Sequence, residues 1–147
     1  MQLVYVINKW LKSMDKGRAT CAVFVDFVKA FDRVWHAGLL LTLAAYGVLS
    51  ANAEWFRNYL SHRAISICVG DILSEPKHVD AGVPQGSHLG PVMFLIFIND
   101  LPEHVCIPSK LYADDALLHH EQLVGSIDPL HHNAIQDTVL GAEAWAT

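Results

Sequence analysis

The chain has 147 residues, 52% of them hydrophobic and 17% charged, with three cysteines and a formal net charge of −5. That length suffices for one ordinary domain with its own core, and the composition excludes a disordered chain. The negative balance argues against a free-standing nucleic-acid grip, because phosphate contacts come from Lys and Arg, and the basic residues here form no stripe. Cys21, Cys68 and Cys106 are odd in number and unpatterned, which speaks against a disulfide framework and suits a reducing compartment. The longest apolar run, Leu89 to Ile98, falls well short of the roughly 20 residues of a membrane span, and the opening Met-Gln-Leu-Val-Tyr lacks the basic start of a secretory signal.

In chain order, Leu3, Ile7, Trp10 and Met14 recur at helical spacing and predict an amphipathic helix, ended by the turn signal Asp15-Lys16-Gly17. Cys21 to Val25 reads as a short buried strand. Leu39, Leu43 and Tyr46 predict a helix closed by Gly47. Ser50 is a candidate cap for the next helix, in which Trp55/Tyr59 and Phe56/Leu60 are i,i+4 pairs. Ile65, Ile67 and Val69 alternate with smaller residues, the period of a half-buried strand, and Gly70-Asp71 suits a two-residue hairpin turn. Gly82 to Gly86 reads as a loop, with Ser87 capping a buried helix to about Leu101 and Pro91 in its first turn. Leu111-Tyr112-Ala113 and Ala116-Leu117-Leu118 read as two strands around Asp114-Asp115, and the stretch from Pro129 onward as a weaker helix. Strands and helices in irregular order predict an α+β fold.

Three features carry chemistry. Asp26 ends an apolar strand, where a carboxylate either turns to solvent or is satisfied by a hydrogen bond, a cation or a metal. Asp114-Asp115 interrupts two apolar strands; it is either a hairpin turn, which Asp favours, or a pair of oxygen ligands of the kind Mg²⁺ takes. Gly82-Val83-Pro84-Gln85-Gly86-Ser87 combines two glycines with an amide that both donates and accepts; taken alone, it reads better as a plain loop with a helix cap. The pairs His119-His120 and His131-His132 lack any zinc-site spacing and read as solvent-facing or partly packed. Trp10, Trp35, Trp55 and Trp145 read as core rather than as base-stacking platforms, and Lys29 and Arg33 as salt-bridge or phosphate partners.

Together the three features resemble a known set. Val25-Asp26-Phe27-Val28-Lys29-Ala30-Phe31-Asp32-Arg33-Val34 resembles the first palm motif of reverse transcriptases of non-LTR retrotransposons. Gly82 to Ser87, followed by Leu89-Gly90-Pro91 and Phe97-Ile98-Asn99-Asp100-Leu101-Pro102, resembles their second motif, and Leu111-Tyr112-Ala113-Asp114-Asp115 their metal-binding hairpin. Val28 stands where the family has Ser or Thr, and His88 where it has an aliphatic residue. The resemblance implies a polymerase palm, a small antiparallel sheet with helices packed on one face. Residues 1–147 would form a single partial domain, the end of the fingers plus the palm, with thumb and endonuclease absent. It implies RNA-directed DNA polymerase activity, with two-metal transfer to a primer 3′-hydroxyl. Asp26, Asp114 and Asp115 would be catalytic, and with the Phe27 carbonyl would ligate two Mg²⁺ ions, Mn²⁺ being a substitute. Phe31 would be a sugar gate, Gln85 and Gly86 would position the nucleotide and template base, and Tyr112 would contact the primer end. The implied partners are an RNA template, a DNA primer and deoxynucleoside triphosphates, with no membrane, in the cytoplasm and nucleus. The alternatives are a catalytically silent fragment of a retrotransposon lacking fingers and thumb, or the palm of another nucleotidyltransferase.

Overall fold

A computed structural model describes residues 2–105 and 107–123 and the isolated positions 133, 136 and 137. It divides into two compact units: Met1–Val28 with Asn99–Thr147, and Lys29–Ile98. The α+β class expected from the sequence is observed. The expected helix from Pro129 onward, with His131-His132 and Trp145, lies outside the described residues apart from helical Asn133, Gln136 and Asp137.

The first unit is built on a three-stranded antiparallel sheet in the order β1-β7-β6, where β1 is Arg18–Asp26, β6 is Ser109–Tyr112 and β7 is Asp115–Leu123. The expected strand at Cys21–Val25 is therefore longer than its apolar run, and it is half-buried rather than buried. The β1–β7 register sets Thr20 opposite Glu121, Ala22 opposite His119, Phe24 opposite Leu117 and Asp26 opposite Asp115. Directly opposed residues share a face. Helix α1, Gln2–Asp15, packs on β1. Val6, Trp10, Phe24, Lys110, Tyr112 and Leu117 are among the residues lining a groove of about 540 Å³ between helix and sheet.

The spacing of Leu3, Ile7, Trp10 and Met14 gives the helix its period but not its inner face. Val6 and Ser13 are the fully buried positions of α1, whereas Leu3, Ile7 and Met14 are exposed. Ser13 is inside because its hydroxyl hydrogen-bonds the Glu121 carboxylate on the sheet, a polar contact that an apolar pattern cannot reveal. Beside it His119 is 2% exposed, packed rather than solvent-facing, and its Nε2 finds no partner among the described residues.

The second unit contains three helices: α2 (His36–Ala45), α3 (Ser50–Leu60) and α4 (Leu89–Ile98). Its core is Leu39 and Leu43 of α2, Leu60 of α3, Met93, Phe94 and Ile98 of α4, and Val34 and Val83 from the connections. Each such fully buried aliphatic or aromatic side chain contributes about 1.5–3 kcal/mol. Trp55 and Tyr59 stack at 5.2 Å, as their spacing predicts. Ser50 begins α3 but makes no capping hydrogen bond; the cap position is Leu49. Ser87 does cap α4, its Oγ accepting from the Gly90 N–H at 2.9 Å, and the expected long helix ends at Ile98, with a separate short helix, α5, at Leu101–His104 in the first unit.

The expected strand at Ile65–Val69 is broken into β2 (Arg63–Ile65), paired with β5 (Lys77–Val79), and β3 (Cys68–Val69), paired with β4 (Ile72–Leu73) across the expected Gly70-Asp71 turn. Ile65, Ile67, Val69, Ile72 and Leu73 are 62% to 77% exposed, so the half-buried reading fails: nothing in the unit covers the hairpin. Trp35 and Trp55 are likewise exposed, against the core reading, and Trp10 is half-buried. Cys21 and Cys68 are free thiols. Among the described residues no helix is long and apolar enough to cross a membrane.

The seam under α1 makes stability depend on pH. Burial, and then the neighbouring Lys9 ammonium, hold the His119 imidazole below its ordinary value of 6.5. The hydrogen bond from Ser13, with Lys9 and Arg18 nearby, holds the Glu121 carboxyl below 4.5. A depressed histidine binds fewer protons folded than unfolded, so its contribution is complete above 6.5 and declines as the pH falls below it; the Glu121 contribution is lost at still lower pH, below 4.5. The expected Tm falls from pH 7 to pH 5, and His119→Leu flattens this part of the curve while leaving the fall below pH 4.5. Thermal melts followed by circular dichroism across pH 4–8 check this.

Candidate active site

β1 ends at Asp26, and β7 begins at Asp115. The ladder places these two aspartates directly opposite each other, with Cβ atoms of such a pair about 4.5–5.5 Å apart. β6 returns from the other side and sets Tyr112 opposite Asp115. The hairpin turn is therefore Ala113-Asp114, with Ala113 in the left-handed region at φ 53, rather than Asp114-Asp115. Asp26, Asp115 and Tyr112 are exposed and Asp114 is half-buried.

The acids do not lie on a helix-free face of the sheet. Asp26 and Asp115 share a face with Phe24, Leu117 and Tyr112, and Asp115 lines the groove at the Leu3 end of α1. They occupy the open end of the face that the helix covers. This follows from register: a period of two keeps Asp115, Leu117, His119 and Glu121 together, and Leu117 and His119 are the residues that need a helix over them.

Like charges opposed in a ladder repel. Among the described residues no ion pair neutralises Asp26, Asp114 or Asp115. Mg²⁺ takes one or two carboxylates and completes its shell with water and substrate phosphates. The opposed pair offers carboxylate donors of that kind, although no three His, Cys, Asp or Glu side chains among the described residues are grouped so as to hold a metal ion.

The remaining candidates belong to the second unit. Phe31 lies in a 3-10 turn, Ala30–Asp32, entered through Lys29 at φ 56. Its ring packs on Phe94 of α4 with centroids 4.5 Å apart and is half-buried, so it is a packing residue with an accessible edge. Gln85 and Gly86 are exposed on the loop before α4. Three residues that sequence reasoning did not single out hold that loop. Asp32 accepts from Gln85 Nε2 at 2.7 Å, and Arg63 and His36 reach the Gly82 carbonyl at 2.6 and 2.8 Å. Asp32 was within sight, one residue after Phe31 in the first motif; Arg63 and His36 carry no local signal.

The model of the family described as reverse transcriptase (RNA-dependent DNA polymerase) matches residues 5–143. The chain belongs to the reverse transcriptase family. The probable RNA-directed DNA polymerase from transposon BS of Drosophila melanogaster is 39% identical over 122 residues, 74% of this chain. The RNA-directed DNA polymerase from mobile element jockey of Drosophila funebris is 35% identical over 78% of the chain. The Pol polyprotein from the type-1 retrotransposable element R2 of Popillia japonica is 29% identical over 70% of it. The chain spans 13% of the length of the first two of these relatives and 19% of the third. The resemblance to reverse transcriptases of retrotransposons is thus borne out by a match over nearly the whole chain.

In this reverse transcriptase-family chain the opposed acids make a stability prediction. In metal-free buffer Asp115→Asn relieves the repulsion and raises Tm by about 1–2 °C, the low end expected of an exposed cross-strand pair. Added Mg²⁺ raises the Tm of the wild type but not of Asp115→Asn. Paired thermal melts with EDTA and with millimolar Mg²⁺ measure both effects.

Proposed function

We propose that this chain supplies the catalytic palm of an RNA-directed DNA polymerase that adds deoxynucleotides to a primer 3′-hydroxyl on an RNA template. The observation that supports it most is the register that opposes Asp26 and Asp115 with Asp114 in the adjoining turn. Family membership supports the reaction class.

In this reading Asp26, Asp114 and Asp115 would hold two Mg²⁺ ions, with the Phe27 carbonyl as a further oxygen donor. Bound there, such ions supply acidity to the attacking hydroxyl and charge neutralisation to the triphosphate. The chain's own contribution is position. The two strands fix the acids on one rigid ladder, so the donor oxygens need little reorganisation when charge develops. Tyr112, opposite Asp115 on the same face, presents its exposed ring and hydroxyl to the primer end. Phe31, braced by Phe94, offers a rigid ring to the sugar, where bulk excludes the 2′-hydroxyl that separates RNA precursors from DNA precursors. Gln85 and Gly86 address the nucleotide and template base. The competing reading, a catalytically silent fragment, is favoured by the lack, among the described residues, of any three His, Cys, Asp or Glu side chains grouped so as to hold a metal ion.

Primer extension on an RNA template with Mg²⁺ and deoxynucleotides decides between them. Incorporation is expected, and Asp114→Asn lowers it by at least about a hundredfold, the scale of losing one partner to transition-state charge. Wild type and Asp114→Asn at the same background would leave the silent fragment standing. In the same assay Phe31→Ala raises the use of ribonucleotides relative to deoxynucleotides about tenfold or more. An unchanged ratio assigns Phe31 to packing on Phe94 alone.

A further inference from the structure

The loop carrying Gln85 is fastened to the end of the first motif at three levels, all within Lys29–Ile98. The Gly82 and Val83 N–H groups donate to the Val34 and Phe31 carbonyls, each at 2.8 Å. The backbones approach so closely that a Cβ on Gly82 would lie 2.6 Å from the Asp32 carbonyl oxygen, and Gly82 itself sits at φ +82, so only glycine serves there. The Gly82 carbonyl, in turn, is held by Arg63 and by the His36 ring. On this fixed base Gln85 Nε2 donates to Asp32 Oδ1 at 2.7 Å.

That last bond has a consequence for what the loop presents. A carboxylate accepts hydrogen bonds and has none to give, whereas a carboxamide has one end of each kind. Asp32 therefore chooses between the two orientations of the Gln85 amide: the NH₂ must face Asp32 and the carbonyl Oε1 must face away. The geometry points to Asp32 as a positioning residue that sets Gln85 to offer an acceptor oxygen to a hydrogen-bond donor on a nucleotide. The donor is a hydroxyl or amino group, on the incoming triphosphate or on the template base. This rests on the reading of Gln85 as a nucleotide-contacting residue.

Asn is nearly isosteric with Asp but can present either end, so Asp32→Asn keeps the bulk and the bond while removing the choice. In the extension assay it raises the KM for deoxynucleotides about tenfold with kcat changed less than twofold. It has no further effect in a Gln85→Ala background. An equal effect in both backgrounds, or none in either, overturns the proposal, because a merely structural role would not act through Gln85. A direct readout keeps the proposal testable should the polymerase reading itself fail. In ¹⁵N-labelled chain the Gln85 side-chain amide signals shift on Asp32→Asn. In the wild type they also respond to added deoxynucleotide or, in a separate arm, to template–primer; which arm responds identifies the source of the donor. Amide signals indifferent to Asp32→Asn, or silent in both ligand arms, overturn the assignment whether or not the chain polymerises.

Discussion

The ladder between β1 and β7 is the constraint on which the candidate site depends. Nine consecutive residue pairs join two segments from opposite ends of the described chain, from Arg18–Leu123 to Asp26–Asp115. Register in such a ladder is all-or-none, since a slip of one residue moves every side chain to the other face. The slip is opposed at several points. Ala116 and Leu118 are buried on one face and His119 on the other. Arg18 reaches Glu121 at 3.5 Å at the far end, and Ser13 of α1 bonds that same Glu121. Packing remote from the acids is thus what keeps Asp26 across from Asp115.

The elements whose cause is local were legible in the sequence. Gly70-Asp71 turns the β3–β4 hairpin because two residues between paired strands demand such chemistry, and Leu39 and Leu43 are buried in α2 as their spacing requires. The family was legible too, because Asp26, Gly82–Ser87 and Asp114-Asp115 carry its motifs in residue type and order. What could not be read is phase and cover. Periodicity says that α1 is a helix but not that Val6 and Ser13 face the sheet, because that choice belongs to Glu121 and Leu117 across the gap. Alternation says that Ile65–Val69 is strand-like, but exposure depends on what packs over it, which no local pattern contains. His119-His120 read as solvent-facing or partly packed; His119 is the packed case, under a helix more than a hundred residues earlier in sequence.

The first motif, Val25–Val34, crosses from one unit to the other. Its front end, Asp26, is fixed by strand pairing; its back end, Phe31 and Asp32, is fixed by the Gly82 loop and by Phe94 of α4. The change falls at Lys29, whose left-handed φ of 56 turns the chain out of the strand. A non-glycine residue in that region costs roughly 1–3 kcal/mol, so the turn is held by its surroundings: Asp32 and Arg33 both donate backbone hydrogen bonds to the Lys29 carbonyl. Ten contiguous residues in this way serve two supports of different kinds, a ladder and a loop clamp.

The contrast between the aspartates sharpens the reading of the site. Asp32 has a partner supplied by the chain, Gln85. Among the described residues the Asp26–Asp115 pair has none, even though a cation is close in the fabric of the sheet: Lys110 stands opposite Leu117, one same-face step from the Tyr112–Asp115 pair. Its ammonium is instead held over the ring of Tyr5 on α1, 4.8 Å from the centroid, an interaction worth about 0.5–1 kcal/mol at an exposed position. A sheet that needed its acids neutralised for stability alone would spend Lys110 on Asp115 of the neighbouring strand. Holding the lysine on the helix leaves two opposed carboxylates open to solvent.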